Sequence, residues 1–314
     1  MQRFVVCGEA LIDLVQDSQD STFRSTWSAL SAGGPMNTAI GLARLGEPAQ
    51  FCGRLSTDRF GVQLREHLQA SDVGLSYAAL SDDPTSLAIV SLDEQSRASY
   101  AFHFTGTANF GWQRDELPLL ADDEWLHIAS LALVVSPSSE VLAAWAAKHP
   151  GPMSLDLNVR PSVIADPVAY WRAIAPWLET LGARGGVLKA SDEDVEFLAQ
   201  GSGDTGEPIE VLGRWADTAG CSLAVITLGP DGAMARDEHG QVFAAPGHQV
   251  EVVDTVGAGD TFMAGFLSAY GADQDVAAAL THGVAAAAIV CTRRGAQPPT
   301  RDEVAKVISA SQSS

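Results

Sequence analysis

The run Asp254-Thr255-Val256-Gly257-Ala258-Gly259-Asp260-Thr261-Phe262-Met263-Ala264-Gly265 decides how this chain is read. Two glycines flanking an alanine let the backbone turn tightly and present several N–H groups together. Apolar and small residues from Thr261 to Ala269 then continue as a helix, whose N-terminus favours negative charge. Such a place can hold a phosphate, or neutralise the charge that builds on a phosphoryl group in transit. Gly257, Ala258 and Gly259 are the candidate amide donors. Asp260 has two readings: it caps the helix, or it accepts the proton of an attacking hydroxyl while nearby amides stabilise its charge. Capping explains one acidic residue and leaves both glycines unexplained. No Lys-Ser or Lys-Thr pair follows the glycines, so this is not a P-loop. Gly8 stands alone after the first strand, where a dinucleotide fingerprint needs three glycines.

Working outward, the chain alternates strand and helix from Trp125 onward, and the pattern reads as an α/β fold with an open, mostly parallel sheet covered by helices on both faces. Strands are expected at 4–8, 49–55, 126–129, 153–157, 186–190 and 223–228. A hairpin is expected from 232–237 and 241–245. Residues 10–15 read as an extension of the first strand, with Asp13 embedded in it. A carboxylate in that setting needs a partner, so Asp13 is either a structural acceptor or a ligand contact. Two β-branched and aromatic strands, 86–92 and 98–104, interrupt the rhythm. With the segment around 21–28 they make a small sheet outside the main layer, suited to cover a cleft. The whole chain reads as one unit, its lid formed by inserts at about 14–32 and 86–108.

Composition narrows the function classes. The chain has 314 residues, 46% of them hydrophobic, enough for a sizeable core. Its 39 acidic residues against 19 basic ones give a formal charge of −20, which repels a phosphate backbone and argues against nucleic acid as a partner. Cys7, Cys52, Cys221 and Cys291 are far apart and form no CxxC pair, and the seven histidines show no close metal-ligand spacing. The cysteines read as small buried hydrophobes. The N-terminus enters a strand at once, without a signal-peptide pattern, and the apolar tract at 283–291 is too short to span a bilayer. The expectation is a cytoplasmic protein with no membrane partner.

The run at 254–265 resembles the C-terminal signature of the ribokinase-like sugar kinases, the PfkB carbohydrate kinase family. A second stretch, Gly33-Gly34-Pro35-Met36-Asn37-Thr38-Ala39 with Gly41-Leu42-Ala43-Arg44-Leu45-Gly46, resembles its N-terminal signature. The resemblance runs from about Phe4 to Ile308. It implies an α/β/α sandwich with a small β lid, and ATP with Mg²⁺ as the phosphoryl source. It also implies Asp260 as the base and the amides of 257–260 as the anion hole. Asp13, Gly33, Gly34 and Asn37 match the sugar-contacting positions; a cap on the following helix is the alternative for Asn37 and is compatible with ligand contact. Arg97 matches a substrate-facing arginine of fructokinase-like and ketodeoxygluconate-kinase-like members; alone it is an ordinary turn residue. Phe104 packs either on the sugar or in the core.

Asp156-Leu157-Asn158-Val159-Arg160-Pro161 follows a strand and resembles an Asp-x-Asn-x-Arg element of the same subgroups. Asn158 would reach the sugar or phosphate, and Arg160 would pair with phosphoryl oxygens through its planar fork. Lys189-Ala190-Ser191-Asp192-Glu193-Asp194 takes the place of the family's Asn-x-x-Glu element, with Ser191 for the asparagine and Asp194 for the glutamate. The shorter Asp194 would organise Mg²⁺ through water rather than by direct ligation, and Ser191 is equally suited to cap a helix. Thr227-Leu228-Gly229-Pro230-Asp231-Gly232 matches the turn around the nucleotide's phosphates and ribose, and on its own reads as a strand-ending turn. The family pattern further implies, in several members, a K⁺-type cation near Asp254, and a homodimer through the lid.

Gly8-Glu9-Ala10-Leu11-Ile12-Asp13-Leu14 and Tyr100-Ala101-Phe102-His103-Phe104 resemble fructokinases, so D-fructose phosphorylated at O6 is the favoured substrate. Pro35-Met36 departs from the commoner fructokinase form, and Met36 is expected to alter the pocket wall. Ketodeoxygluconate, ribose and a nucleoside remain open as acceptors, as does a non-catalytic sugar-sensing protein on the same scaffold.

Overall fold

In a computed structural model, residues 2–19, 21–92 and 98–311 are described. Strands β1 (Arg3–Cys7), β4 (Ala49–Cys52), β9 (Glu124–Ala129), β10 (Met153–Asp156), β11 (Val187–Ser191), β12 (Leu223–Thr227), β13 (Gly232–Asp237) and β14 (Val242–Pro246) form one sheet. Its order is β14-β13-β12-β11-β10-β9-β1-β4. The six strands from β12 to β4 are parallel, and β13 and β14 complete the sheet as an antiparallel hairpin.

Alternation along each parallel strand feeds two cores. Val5 and Cys7 of β1 pack into one face, and Phe4 and Val6 into the other. The first core is roofed by α3 (Ser138–Ala146), α4 (Pro167–Gly182), α5 (Asp192–Ser202) and α6 (Pro208–Ala219). The second is roofed by α1 (Gly34–Arg44), α2 (Arg59–Ala70), α7 (Ala258–Asp273), α8 (Val276–Cys291) and α9 (Arg301–Ser311). This is the ribokinase-like α/β/α sandwich. Cys7, Cys52 and Cys221 are buried and Cys291 half-buried, all as free thiols.

The helices carrying the two signatures, α1 and α7, pack directly on each other. Gly41 lies so close to Ala264 that a Cβ at Gly41 would meet the alanine methyl at 2.6 Å. No helix among the described residues is long and apolar enough to cross a membrane.

A second, four-stranded sheet has the order β3-β2-β7-β8, from β2 (Leu11–Gln19), β3 (Ser25–Ala32), β7 (Leu87–Leu92) and β8 (Ala98–His103). This is the small β lid. Its first strand corrects an expectation: residues 10–15 do not prolong β1. At Gly8 the backbone takes φ 153°, and the chain leaves the large sheet for the small one. Leu11 continues the apolar pattern by packing with Ala32 and Ala88 under the lid, which is why pattern alone joins the two strands. The expected strand at 49–55 likewise divides, into β4 and β5 (Arg54–Ser56). β5 pairs with β6 (Ala79–Ser81), a strand too short to show in the sequence. Helix α5 runs through Ser202 and ends on Gly203 in the left-handed region.

Candidate active site

The carboxyl ends of parallel strands are where open sheets leave a crevice for ligands. Here that crevice is a cavity of about 470 Å³ between the large sheet, the lid and the start of α7. It brings together Asp13, Gly33, Gly34, Asn37, Asn158, Arg160, Gly257, Ala258, Gly259 and Asp260, which are scattered over the whole sequence.

The N-terminus of α7 is built to stay open. Gly257 occupies the cap position at φ 75°, a conformation costly for any residue with a Cβ, and no side chain caps the helix. First-turn amides have no intrahelical acceptor; that of Ala258 donates back to the Thr255 carbonyl at 3.2 Å, which leaves those of Gly259 and Asp260 for whatever enters the cavity. Asp260 is the third residue of α7, not its cap. It is buried, and its Oδ2 accepts a hydrogen bond from Asn37 Nδ2 at 2.9 Å. Asn158 Nδ2 approaches Oδ1 at 3.4 Å. Two amides from distant elements thus orient one carboxylate. Gly34 completes the approach: a Cβ there would lie 3.0 Å from Asp260 Oδ1 and 2.9 Å from Asn158 Nδ2. Asn37, inside α1, is spent on Asp260 rather than on a helix cap.

Asn158 holds φ 36° and Ser130 φ 62°, unusual values for residues with side chains. Both line the cavity, in line with the tendency of backbone strain to collect at functional sites. Burial pushes the Asp13 carboxyl up to about 6, opposed by the charge of Arg160. Arg160 itself donates from Nη1 to the carbonyls of Asn158 and Val159 at 3.2 and 3.0 Å.

Sequence reasoning left out Glu9, which lines the cavity while only 3% exposed. Burial pushes its carboxyl up to about 7; a hydrogen bond from Ser130 and the charge of Arg160 oppose the rise, and Asp260 adds to it. No sequence pattern marks it, because residues 10–15 read as a continuation of β1 and hide the bend at Gly8. Phe102, not Phe104, reaches the cavity; Phe104 packs edge-on against Phe110. Met36, expected in the pocket wall, is instead fully buried in the core beneath α1. Arg97 lies outside the described residues.

The residues expected around the nucleotide are not among those lining this cavity. Thr227 ends β12, and Gly229 and Gly232 bracket the turn into β13, both at positive φ. Lys189 is buried beneath the anion turn, its Nζ 2.9 and 3.0 Å from the oxygens of Asp156. The same ammonium would lie 3.3 Å from a Cβ at Gly259. Burial alone would lower this ammonium's pKa, but Asp156, Asp194 and Asp260 outweigh it and hold the group charged. Ser191 and Asp194 form a capping box on α5. Asp194 Oδ2 accepts from Ser191 N at 2.9 Å, and Oδ1 from Val159 N at 2.8 Å.

Among the described residues no group of three or more His, Cys, Asp or Glu side chains could hold a metal ion. Both Asp194 oxygens are engaged by amides, which leaves this carboxylate no free oxygen for direct ligation of a divalent ion. Asp254 likewise spends its oxygens on the amides of Val256 and Gly295 at 3.0 and 2.8 Å. A monovalent cation near it would be held by backbone carbonyls instead.

Over residues 1–303 the chain matches the pattern of the pfkB family carbohydrate kinases. It is 38% identical over 266 residues to a fructokinase from Rhizobium leguminosarum bv. trifolii, covering 83% of this chain and 78% of that one. A fructokinase from Klebsiella pneumoniae is 33% identical over 312 residues, covering 95% and 97%. Among solved structures, a double mutant of the fructokinase from Vibrio cholerae O395, with fructose, ADP and potassium ion bound, superposes with a TM-score of 0.84. That pair is 27% identical, with 98% of each chain covered. The chain therefore belongs to the pfkB family of carbohydrate kinases, in its fructokinase subgroup, and its class of activity is ATP-dependent sugar phosphorylation.

Proposed function

We propose that this protein transfers the γ-phosphoryl group of ATP to O6 of D-fructose, with Asp260 as the general base. The observation that carries the reading is the pairing of one buried, doubly oriented carboxylate with an uncapped helix N-terminus in the same cavity. The sugar hydroxyl loses its proton to Asp260 as its oxygen attacks the γ-phosphorus. The bond from that phosphorus to the bridging oxygen breaks, ADP leaves, and the proton passes from Asp260 to solvent. The amides of Gly257, Gly259 and Asp260 stabilise the oxygens of the group in transit. Lys189, beneath the turn, adds a fixed positive charge to that end of the cavity. Asn37 and Asn158 hold the carboxylate toward the acceptor, and Asp13 accepts from sugar hydroxyls. The Mg²⁺ that accompanies ATP supplies charge neutralisation on the phosphates.

The choice of fructose is supported by the two fructokinase relatives and by the fructose bound in the Vibrio structure. The test is ADP formation in a coupled assay across fructose, glucose, ribose, 2-keto-3-deoxygluconate and adenosine. Fructose is expected to give the highest kcat/KM. If no acceptor accelerates ADP formation, the kinase reading fails; if another acceptor leads, the fructose assignment fails alone.

A further inference from the structure

Asp156 ends β10, and its register partner on β11 is Lys189. Leu155 and Leu188 pack into the first core, so alternation turns Asp156 and Lys189 to the opposite face, the one α7 covers. The two side chains are only 1% and 3% exposed, and neither lines the cavity. Asp156 has no part in the transfer described above. Replacing a buried ion pair by apolar residues of similar volume is often neutral or stabilising, so stability alone does not explain two charges here.

The Asp156 carboxylate is gripped from two directions. Lys189 Nζ donates to Oδ1 at 3.0 Å and to Oδ2 at 2.9 Å, and Asn158 N donates to Oδ1 at 3.2 Å. On the first side the ammonium stands under the anion turn, 3.3 Å from where a Cβ on Gly259 would lie. On the second side the bond fixes the peptide of Asn158, which sits at φ 36° and sends its Nδ2 to Asp260 Oδ1. The neighbouring amides are anchored separately: Leu157 N donates to the Lys189 carbonyl at 2.9 Å and Val159 N to Asp194 Oδ1 at 2.8 Å. Loss of the Asp156 acceptor would therefore free the Asn158 peptide without releasing the whole loop.

We propose that Asp156 is a positioning residue for the phosphoryl transfer: one buried carboxylate sets both the ammonium beneath the anion turn and the amide that orients the Asp260 carboxylate. It touches neither substrate and acts through Lys189 and Asn158. This rests on the reading of Asp260 as the base and explains how that base and the anion turn are held in mutual register.

The test measures kcat, both KM values and melting temperature in the full chain, with whichever acceptor leads in the assay above. Asp156→Asn/Lys189→Met removes both charges and keeps an acceptor for Asn158 N. It should melt close to wild type and lose about 10- to 100-fold in kcat, the scale of lost electrostatic stabilisation of a transition state. Both KM values should stay within about twofold, the pattern of an interaction made only in the transition state. Asp156→Leu/Lys189→Met removes the acceptor as well and should be slower still. Asn158→Ala should lower kcat in the wild type and add almost nothing to Asp156→Leu/Lys189→Met, because residues that act as one unit are not additive. A purely structural pair would let kcat recover together with melting temperature. Wild-type kcat in the stable double variants therefore overturns the proposal, as does an Asn158→Ala effect of equal size in both contexts. Should the double variants fail to fold, Lys189→Met alone, whose partner carboxyl can take up a proton, carries the kcat-against-KM comparison, and an unchanged kcat overturns the proposal. Wild-type turnover in Asp260→Asn breaks the base reading and this inference with it. An inactive Asp260→Asn beside fully active Asp156 variants breaks this inference alone.

Discussion

Two helices of this molecule, α5 and α7, begin beside the same crevice and begin in opposite ways. The first turn of α5 is closed by its own side chains, since Ser191 and Asp194 satisfy each other's amides and Asp194 takes a third from Val159. The first turn of α7 has no side-chain cap and starts from a left-handed glycine. Both stretches are rich in small and acidic residues, so composition does not separate them. The difference lies in where the acid stands. Asp194 bonds back to its own turn, whereas Asp260 is drawn off its helix by Asn37 and Asn158. A helix start becomes a reaction site when its amides are left unspent and its carboxylate is held elsewhere.

The strongest way to break this contrast is Asp260→Asn. Loss of the base should lower kcat by about 10³-fold, within the range for general base catalysis, with the melting temperature little changed; near-wild-type turnover would remove Asp260 from the chemistry. Next is Gly257→Ala, which forces a Cβ into φ 75° and to 2.6 Å from the methyl of Ala296. Displacement of the turn should cost roughly 10- to 100-fold in kcat, comparable to loss of part of an oxyanion hole, as read in the same assay.

A third measurement is the pH dependence of stability without ligand. Burial raises Glu9 from 4.5 to about 7 and Asp13 from 3.8 to about 6. The folded state thus favours their neutral forms. Their contribution is fully present below pH about 4, the unfolded pKa range, and is lost as pH rises through 6 and 7. Melting temperature should fall across that window, and Glu9→Gln should remove the part due to Glu9, at most roughly 3 kcal/mol. A fall of the same size in the variant would contradict the assignment.

The smallest effect belongs to the closed helix. Ser191→Ala should cost about 1 kcal/mol, the usual value of an N-cap, with KM for ATP within twofold. A raised KM for ATP at unchanged stability would instead make Ser191 a nucleotide contact.

Much of this was legible in the sequence. Apolar runs bounded by glycine and proline marked most of the strands of the large sheet, because parallel strands buried on both faces leave a continuous signal. The lid announced itself as two β-branched strands that broke the rhythm. The glycine pair at Gly257 and Gly259 predicted an open amide turn, and that prediction needed no tertiary knowledge. What could not be read depends on long-range placement. Asn37 has the look of a helix cap, and only folding brings it 2.9 Å from a residue 223 positions away. Glu9 lies in an apolar run that reads as one long strand, so the bend at Gly8 was invisible, and with it the side chain it directs into the cavity. Ser130 holds a positive φ without being glycine, which no sequence pattern signals. Lys189 could be placed after a strand, but not opposite Asp156.

The contact between Gly41 and Ala264 has a genealogical meaning. The two signatures meet there through atoms with no room between them, so neither helix can gain volume unless the other gives it up. Gly41→Ala should be tolerated in company with Ala264→Gly and poorly alone, since added methylenes in a filled core cost about 1–3 kcal/mol. Grafting either signature from a distant relative would then carry a compatibility requirement: the donor segment must bring its partner along, and chimaeras that split the pair are the ones expected to misassemble.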